Sequence, residues 1–433
     1  MTRKKIHGQH DEKTLAQLDR CLAVGSAAAG VLCADGHLGY AHPIGGVVGY
    51  TDHISISGVG FDIGCGNMAV RLDAPYADIK PQAATILKDV ASAISFGIGR
   101  KNSERVDHDL FDSDLWQASG MADMKEMARN QLGTVGSGNH YVDLFEDEQG
   151  FVWIGVHFGS RGLGHKTTTR YLEMAGGKDC MEVDPALIEA SSDLGQGYLA
   201  GVELGGLYAY AGREWVVEKV RSIIGGDVTF SVHNHHNFVW RETHDGVDMW
   251  VVRKGATPAF PGQMGFVGGS MGDDAVILRG VESEASKASL YSTVHGAGRV
   301  MSRSKAIGGV LAVAQCTEQG CTFQMPWMDY EKARSDAGLK QGAQFTCCPH
   351  HAGETMRKQK LRQQGAIRHD DWKAWLADRQ VMLMGGGIDE APQAYRRLPE
   401  VLAAHAGTVE IMHRLRPFGV VMAGANEFDP FKD

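Results

Sequence analysis

The most constraining feature of this sequence is a series of short glycine-rich segments that also carry histidine, cysteine or aspartate. Glycine accounts for 56 of the 433 residues, whereas its average share in proteins is about 7%. Because glycine adopts backbone conformations closed to other residues, it marks tight turns and places where the backbone approaches another group closely. The segments follow no repeating period, which excludes a collagen-like or solenoid chain.

Hydrophobic periodicity predicts both helices and strands. Helical patterns cover residues 77–130 and 166–224, and strand patterns cover 150–156, 227–235, 247–255 and 273–280. The segments 227–235 and 247–255 are predicted to be neighbouring strands, and 408–424 to be a helix or strand followed by a final strand. Since the elements mix without a strict βαβ rhythm, we expect a mixed α/β fold, one compact unit around β-sheets, rather than a Rossmann or TIM-barrel architecture.

The charge balance excludes a protein-wide basic field for nucleic acid. The chain has 43 basic and 52 acidic residues and a net charge of −9 with neutral histidines, so a polyanion must be met by a local basic patch or by metal ions. The basic N-terminus is not followed by an apolar segment, and the stretch at 24–34 is too short to span a bilayer. We expect a cytoplasmic protein with reduced thiols at its eight cysteines.

The segment GVGFDIGCGN at 58–67 places a carboxylate and a thiol three residues apart in a glycine-rich turn. Asp62 offers oxygen and Cys65 offers sulfur, a combination that suits Mn²⁺, Zn²⁺ or Fe²⁺. The alternative is a turn in which Asp62 caps the backbone and Cys65 is a small buried residue.

Two further glycine segments each contain a candidate histidine. In GTVGSGNHYVD (133–143), Asn139 and His140 follow three glycines, and the alternative to a ligand is a solvent-facing histidine. In VHFGSRGLGHK (156–166), His157 ends a predicted strand and Arg161 lies in the glycine loop, an arrangement that suits a metal beside a phosphate. The Gly-Lys-Thr triplet of a P-loop is absent.

Three histidines occur within four residues of SVHNHHNFVWRE at 231–242. On a strand, His233 and His235 share one face and His236 takes the other. Such clustering favours metal binding over an ordinary core strand, and Asn237 follows directly. The HExxH helix signature of metalloproteases does not occur.

A glycine loop at 253–272, RKGATPAFPGQMGFVGGSMG, contains a formal GxSxG match at Ser270. A serine hydrolase requires a helix after this turn, whereas the pattern here continues as a strand. We therefore interpret the loop as contacting a nucleotide.

In STVHGAGRVMSRSKA at 292–306, His295 precedes a Gly-Ala-Gly turn. Arg299 and Arg303 lie four residues apart and share one face if a helix starts near Gly298. This pattern indicates a base, or a nucleophile that attacks a phosphate. The alternative is the solvated start of a basic helix.

Together with ADGHLGYAHPIGG at 34–46 and EAPQAY at 390–395, these segments resemble, in content and order, the RtcB family of RNA-splicing ligases. That family joins RNA 3′-phosphate or 2′,3′-cyclic phosphate ends to 5′-hydroxyl ends. The resemblance implies one RtcB-like α/β domain over residues 1–433 with a deep metal cleft, and a divergent Cys/His-containing insertion at 307–380.

The resemblance also implies roles for individual residues and a set of partners. His295 falls on the histidine that becomes covalently guanylylated, and the ligands of a two-Mn²⁺ centre fall on Asp62, Cys65, His140, His157 and His236. The implied GTP-binding residues are Asn139, Asp143, His236, Asn237, Ser270, Met271, Gly272, His295, Gly296, Ala297, Gly298 and Tyr395, and the implied RNA-phosphate contacts are Arg161, Arg299 and Arg303. The implied partners are RNA and an archease-type activator, with the protein a monomer and no membrane partner.

Three positions depart from the family pattern. Asp143 replaces a glutamate, Ala275 replaces a serine, and Met422 stands near a C-terminal lysine that contacts guanine. Loss of that cation predicts looser selection of guanine, unless Tyr395 or Asn426 reads the base instead.

A cysteine- and histidine-rich segment lies within the predicted insertion. Its pattern, Cys-x4-Cys followed by Cys-Cys-x-His-His, indicates a structural zinc site drawn from Cys316, Cys321, Cys347, Cys348, His350 and His351. The alternative is an inserted loop with free thiols.

The leading functional hypothesis is a GTP- and Mn²⁺-dependent RNA ligase. The alternatives are an RNA-end guanylyltransferase and an RNA-end-binding factor with reduced or no ligation. The presence of His295 argues against a non-enzymatic protein, whereas Met422 keeps the guanylyltransferase open.

Overall fold

The computed structural model describes residues 3–178, 180–340, 343–351, 353, 355–424 and 427. The chain divides into a first unit, Met1–Val300 with His369–Lys432, and a second unit, Met301–Arg368. The predicted insertion at 307–380 overlaps the second unit, although its last residues belong to the first. Asn426 lies outside the described residues.

The strands of the described residues are numbered in chain order. They are β1 (Arg3–Ile6), β2 (Ala27–His37), β3 (Ile44–Tyr50), β4 (His53–Ser55), β5 (Gly66–Pro75), β6 (Tyr141–Glu146), β7 (Phe151–Phe158), β8 (Leu187–Glu189), β9 (Val228–His235), β10 (Asn237–His244), β11 (Val247–Lys254), β12 (Ala256–Pro258), β13 (Met264–Val267), β14 (Ala275–Gly280), β15 (Ser292–Val294), β16 (Gly308–Cys316), β17 (Gln324–Pro326), β18 (Met356–Gln364), β19 (Met382–Gly386) and β20 (Val409–Gly424).

The α-helices are numbered in the same way. They are α1 (Glu12–Leu22), α2 (Ile56–Val59), α3 (Tyr76–Ile79), α4 (Ala83–Ala93), α5 (Leu115–Ala118), α6 (Lys125–Gln131), α7 (Arg161–Met174), α8 (Asp193–Ile224), α9 (Glu284–Ala288), α10 (Arg303–Ile307), α11 (Trp327–Asp336), α12 (His369–Asp378) and α13 (Leu398–Ala403). The predicted mixed α/β fold is confirmed.

An eight-stranded sheet forms the centre of the first unit, with strand order β13-β14-β20-β6-β7-β5-β9 and β19 beside β20. Alternate residues of a strand point to opposite faces. One face, which includes Val142 and Ile154, packs against α4 and α8 in a buried apolar cluster. The other face carries Tyr141 and His157, which are paired across β6 and β7. This second face is the one that bears the candidate site.

A five-stranded sheet with order β1-β2-β3-β11-β10 lies in the same unit. Its apolar residues Val48 and Val252 share a buried cluster with Leu18 and Cys21 of α1. Asp35 lies near the C-terminal end of β2.

The long helix α8 packs against the main sheet and against the turn that carries Asp62 and Cys65. Its N-terminus is capped by Ser192, whose hydroxyl accepts a hydrogen bond from the Gly195 N–H at 3.0 Å. Within α8, Gly205 permits close packing, since a Cβ there would lie 2.9 Å from the Ile63 side chain. Ile63 belongs to the turn that carries Asp62 and Cys65.

The prediction that 227–235 and 247–255 are neighbouring strands is wrong. β9 pairs with β5 in the main sheet, whereas β11 pairs with β10 and β3 in the five-stranded sheet. The reason is the Asp245-Gly246 turn, where both residues have positive φ, because such a two-residue turn joins β10 to β11 as a hairpin. Alternation identified each strand but not its partner.

The condition under which Arg299 and Arg303 would share one face, a helix starting near Gly298, is not met. Gly298 has φ +75°, and a Cβ there would lie 2.3 Å from the Asp35 carbonyl oxygen. The following backbone is extended enough for Arg299 to bridge to Tyr395. Helix α10 begins only at Arg303, so the two arginines do not share a helical face.

Within the predicted segment 408–424, residues Val409–Gly424 form a single strand, β20, rather than two elements. Within the described part of the chain, we find no helix with the length and apolar character needed to cross a membrane.

Candidate active site

Three predicted ligands converge at one edge of the main sheet, where Cys65 immediately precedes β5, His140 immediately precedes β6 and His157 lies near the end of β7. The Cys65 Sγ lies 3.3 Å from the His157 Nε2 and 3.7 Å from the His140 Nε2. The three side chains are buried, and their ligand atoms lie within 4.8 Å of one another. A thiol and two imidazoles at this spacing form a set that suits a divalent transition metal.

Asp62 joins this cluster through His140. Its Oδ2 lies 3.1 Å from the His140 Nε2, and the Asp62–Cys65 turn is closed by the Cys65 N–H donating to the Asp62 carbonyl at 3.0 Å. Burial raises the pKa of Asp62, but the hydrogen bond and charge of His140 outweigh burial and hold that pKa well below its usual range. Gly159 makes room for this carboxylate, since a Cβ there would lie 2.3 Å from the Asp62 Oδ1.

Backbone carbonyls orient both histidines. The His140 Nδ1 is 3.0 Å from the Val135 carbonyl oxygen, and the His157 Nδ1 is 3.1 Å from the Asn139 carbonyl oxygen. For His157, a ring N–H at Nδ1 that donates to the carbonyl leaves the Nε2 lone pair pointing at the cluster. Asn139 therefore contributes to the site through its backbone carbonyl, which orients the His157 ring.

His236 extends the cluster beyond His157. Its backbone N–H donates to the Cys65 carbonyl at 2.8 Å, and its ring centroid lies 5.1 Å from that of His157. The His236 Nδ1 is buried and has no hydrogen-bond partner among the described residues. A buried nitrogen in this condition is expected to have a ligand.

The two other histidines of the triplet serve a different purpose. The buried Arg213 of α8 donates from Nε to the His233 Nε2 at 2.8 Å, and its Nη2 lies 3.1 Å from the His235 Nδ1. The Arg213 Nη1 also donates to the Gly64 carbonyl at 2.9 Å, which fixes the turn before Cys65. Of the three histidines, only His236 faces the cluster.

Burial sets the protonation state of the cluster. It raises the pKa of the Cys65 thiol well above its usual range and lowers the pKa of His157 and of His236 well below theirs. The two imidazoles are therefore neutral at pH 7 with lone pairs available, and the thiol releases its proton when a cation binds. This donor chemistry, with the unpartnered His236 Nδ1, fits a divalent metal.

His295 lies beside the cluster and against a buried carboxylate. Its ring centroid is 4.9 Å from that of His236, and its Nδ1 is 2.6 Å from the Asp35 Oδ2. The same oxygen accepts the backbone N–H groups of His295 at 3.0 Å and Gly296 at 3.3 Å. Burial raises the pKa of Asp35, yet the charge and hydrogen bonds of His295 hold it below its usual range.

Asp35 is a site residue that local sequence patterns do not indicate. Its only sequence signal is its place in ADGHLGYAHPIGG, a segment that resembles the family pattern. Asp35 and His295 are 260 residues apart in sequence, so no local spacing links them.

The candidate nucleotide residues surround the same face of the main sheet. Gly296 lies against the loop at 268–272, since a Cβ on Gly296 would be 3.6 Å from the Gly268 carbonyl oxygen, and one on Gly268 would be 2.2 Å from the Tyr141 hydroxyl. The Ser270 Oγ and the Asp143 Oδ1 are buried without a hydrogen-bond partner among the described residues. Burial alone raises the pKa of Asp143 well above its usual range.

Met422 and Asp143 occupy neighbouring positions on this face. Met422 pairs with Tyr141 across β20 and β6, and Asp143 is two residues further along β6. Residues in such a diagonal relation lie about 7–8 Å apart on one face. Two of the three departures from the family pattern therefore lie side by side.

Arg299 and Tyr395 contact each other. The Arg299 Nη1 donates to the Tyr395 hydroxyl at 2.8 Å and lies 3.3 Å from the Glu390 carboxylate, and the Tyr395 hydroxyl also donates to Glu390. The predicted phosphate contact and the predicted nucleotide contact thus belong to one network, which the sequence did not indicate. Ala297 is buried in the adjoining turn.

The remaining predicted residues lie in different surroundings. Arg161 begins α7, with its Nη1 3.4 Å from the His140 Nδ1. Asn237 donates from Nδ2 to the Asp62 carbonyl at 3.2 Å and so braces the ligand turn. Met271 is buried and its Sδ accepts the Trp372 Nε1–H at 3.3 Å, while Gly272 has φ +76°. Arg303 belongs to the second unit.

Comparison with known proteins gives matches along most of the chain. A family model described as tRNA-splicing ligase RtcB matches residues 17–122, 112–324 and 336–423. RNA-splicing ligase RtcB of Escherichia coli K12 is 32% identical over 305 residues, which cover 63% of this chain and 74% of that protein. tRNA-splicing ligase RtcB of Archaeoglobus fulgidus is 31% identical over 363 residues, which cover 65% of this chain and 75% of that protein.

Proposed function

The chain belongs to the RtcB family, and on that basis we propose that it is an RNA ligase that joins a 3′-phosphate or 2′,3′-cyclic phosphate end to a 5′-hydroxyl end. The names of its relatives support a ligase. The observation that carries the proposal is the position of His295, with its Nδ1 2.6 Å from a buried carboxylate and its ring beside the His236 ring.

The metal part of the proposal assigns two Mn²⁺ ions to five residues. The ligands are Asp62, Cys65, His140, His157 and His236, of which three form the compact cluster described above. When bound, the ions neutralise charge that develops on the reacting phosphates. A net-acidic protein then needs few cationic side chains to hold RNA ends, and we assign that part to Arg161, Arg299 and Arg303.

In the first step, His295 acts as the nucleophile. Because its Nδ1 faces Asp35, the Nε2 lone pair attacks the α-phosphorus of GTP, a phosphorus–nitrogen bond forms, and the bond to pyrophosphate breaks. The attacking imidazole must be neutral, because only the neutral ring has a lone pair with which to attack phosphorus. Asp35 positions the ring and stabilises its positive charge.

In the following steps the guanylate moves to RNA. An oxygen of the RNA 3′-phosphate attacks the guanylate phosphorus and frees His295, which gives RNA-3′-ppG. The 5′-hydroxyl then attacks the 3′-phosphate phosphorus, the new phosphodiester forms, and GMP leaves. A cyclic end is first opened by water to a 3′-phosphate.

We assign the nucleotide to the face of the main sheet that carries Tyr141 and His157, and to the loops next to that face. The residues are Asn139, Asp143, His236, Asn237, Ser270, Met271, Gly272, His295, Gly296, Ala297, Gly298 and Tyr395. The unpartnered Ser270 Oγ and Asp143 Oδ1 support this assignment, because buried polar atoms require partners. Burial raises the pKa of Asp143, which favours the protonated carboxyl, and a protonated carboxyl donates a hydrogen bond to a base or ribose.

Asp35 provides a test of nucleophile positioning. In Asp35→Asn, the amide oxygen still accepts the backbone N–H groups, but the carboxylate that orients the His295 ring is lost. We expect guanylylation to slow by about 100-fold, which is the rate loss typical of a misplaced reacting group. The metal content is expected to stay unchanged. Rates of ³²P-GMP uptake measure the effect, and joining of a pre-activated RNA-3′-ppG end must survive; a variant equally impaired in both assays contradicts a positioning role.

Met422 provides a test of base selection. A lysine at this position donates a charge-assisted hydrogen bond to the guanine carbonyl, worth about 1.5–3 kcal/mol, whereas a thioether has no such preference. We expect this chain to discriminate GTP from ATP less strongly, by roughly ten- to a hundredfold, than family members that keep the lysine. Met422→Lys is expected to restore the discrimination. Parallel labelling with GTP and ATP decides the point; no adduct with ATP and no change in Met422→Lys place the selectivity elsewhere.

The proposed function is tested by covalent labelling. Purified protein incubated with [α-³²P]GTP and Mn²⁺ is expected to give a labelled band whose label maps to the peptide containing His295. A protein that takes up no label in the presence of Mn²⁺, although it binds the metal, contradicts the proposal.

A further inference from the structure

We infer that the second unit is built around one zinc ion held by Cys316, Cys321, Cys348 and His351. One ligand atom from each of these residues lies within 4.8 Å of the other three. Three thiolates and one imidazole form a closed tetrahedral set, which is the arrangement of structural zinc and leaves no position for a substrate.

The separations between ligand atoms match those around a tetrahedral ion. The Cys321 Sγ and Cys348 Sγ are 3.7 Å apart, and the Cys348 Sγ and His351 Nδ1 are 3.8 Å apart. Zinc–sulfur bonds of about 2.3 Å at tetrahedral angles place two sulfurs about 3.8 Å apart. A disulfide would require about 2.05 Å, and all four cysteines of this unit are free.

A hairpin turn supplies the first pair of ligands. Cys316 ends β16, and its N–H donates to the Phe323 carbonyl at 3.2 Å. The Cys321 N–H donates to the Glu318 carbonyl at 3.1 Å, and Gly320 has φ +86°, so the chain turns back tightly between the two cysteines. The Cys-x4-Cys spacing is within the range used by zinc modules.

The loop between α11 and β18 supplies the second pair, Cys348 and His351. Tyr330 of α11 fixes this loop, since its hydroxyl accepts the Phe345 N–H and donates to the Phe345 carbonyl, each at 3.2 Å. On the other side, Cys316 pairs with Met356 at the start of β18. Both ligand pairs are thus anchored to regular structure.

The ligands also form the centre of the small core of this unit. Its buried cluster consists of Ala314, Cys316, Tyr330, Cys348 and Met356, so two of its five members are ligands. A segment this short rarely buries enough apolar surface to be stable alone, and a structural metal is a common remedy. Zinc binding is therefore expected to contribute directly to the folding of residues 301–368.

The geometry separates the ligands from two near neighbours in sequence. The Cys347 Sγ contacts the Met325 Sδ at 3.5 Å rather than the cluster, and His350 is exposed. The six candidates of the sequence analysis are thereby reduced to four. Cys347 and His350 serve as matched controls for Cys348 and His351.

The first test uses the unmutated full-length protein and is independent of ligation. Protein purified with zinc is treated with iodoacetamide and analysed by peptide mass spectrometry. We expect Cys347 to be modified while Cys316, Cys321 and Cys348 are protected, and all four to react after removal of zinc by a chelator. Equal modification of the four before and after chelation, or a Cys321–Cys348 disulfide in the native protein, overturns the inference.

The second test compares matched variants of the full chain by metal analysis. Cys348→Ser and His351→Asn are expected to lose one equivalent of zinc and to become protease-sensitive within 301–368. Cys347→Ser and His350→Asn are expected to retain both zinc and protease resistance. Equal zinc content in Cys348→Ser and Cys347→Ser contradicts the assignment, and the alkylation result decides the matter if Cys348→Ser fails to fold.

Discussion

Replacing His295 with alanine is expected to abolish covalent uptake of GMP, while joining of an RNA that already carries a 3′-ppG end continues. The Nε2 of His295 is the proposed nucleophile, and an alanine methyl group has no lone pair with which to attack phosphorus. Removal of a catalytic nucleophile costs several orders of magnitude in rate, so labelling by [α-³²P]GTP is expected to fall at least about a thousandfold.

The pre-activated RNA is the internal control for this variant. Its joining needs the metal cluster and the RNA contacts but not the guanylate–histidine bond, so it reports whether His295→Ala is folded and metal-loaded. Normal ligation from GTP by His295→Ala disproves the nucleophile assignment. Loss of both activities with normal metal content assigns His295 to a later step.

Replacing Cys65 with alanine is expected to remove the metal centre and with it every step of the reaction. The Cys65 Sγ lies within 3.7 Å of both His140 and His157, so it is the group that links the two imidazoles. Loss of a residue that only orients a metal ligand costs about 10–100-fold in affinity, and loss of the thiolate itself is expected to exceed that range. Mn²⁺ titration by isothermal calorimetry, with ligation assays at matched free Mn²⁺, measures the effect.

Cys21→Ala is the matched control for Cys65→Ala. Cys21 is fully buried in α1 and contributes to a hydrophobic cluster. Its substitution removes the same thiol group from the core as Cys65→Ala does, but leaves the metal site intact. We expect Cys21→Ala to keep full Mn²⁺ stoichiometry and ligation. A Cys65→Ala protein that does the same is incompatible with Cys65 as a ligand.

Local sequence patterns predicted many of the strands and the donors of the candidate cluster, whereas residues 94–108 and 180–192 of the predicted helical stretches are not helical. The glycine segments contained the candidate donors Cys65, His140 and His157, of which only His157 was predicted to lie at a strand end, and the structure brings these three together. The histidine triplet was resolved only by the structure, because the buried Arg213 engages His233 and His235 from a helix that precedes them in the chain. No periodicity within the triplet encodes that partner.

Pairings between distant segments could not be predicted. Asp35 reaches His295 only because β2 and the turn after β15 are neighbours in the fold, and Arg299 meets Tyr395 through a backbone bridge. The same limit produced the error over β9 and β11, since alternation is identical in any sheet. The zinc pattern was visible in sequence, but the choice of Cys348 over Cys347 required the side-chain directions.

The fate of one phosphate tests the proposed ligation most directly. An RNA carrying a ³²P-labelled 3′-phosphate is incubated with a second RNA bearing a 5′-hydroxyl, GTP, Mn²⁺ and the purified full-length protein. We expect the label to enter an internal phosphodiester of the joined product and to become resistant to phosphatase. A guanylyltransferase without ligation leaves the label in an RNA-3′-ppG end, and that result, or release of the label as inorganic phosphate, contradicts the proposed ligation.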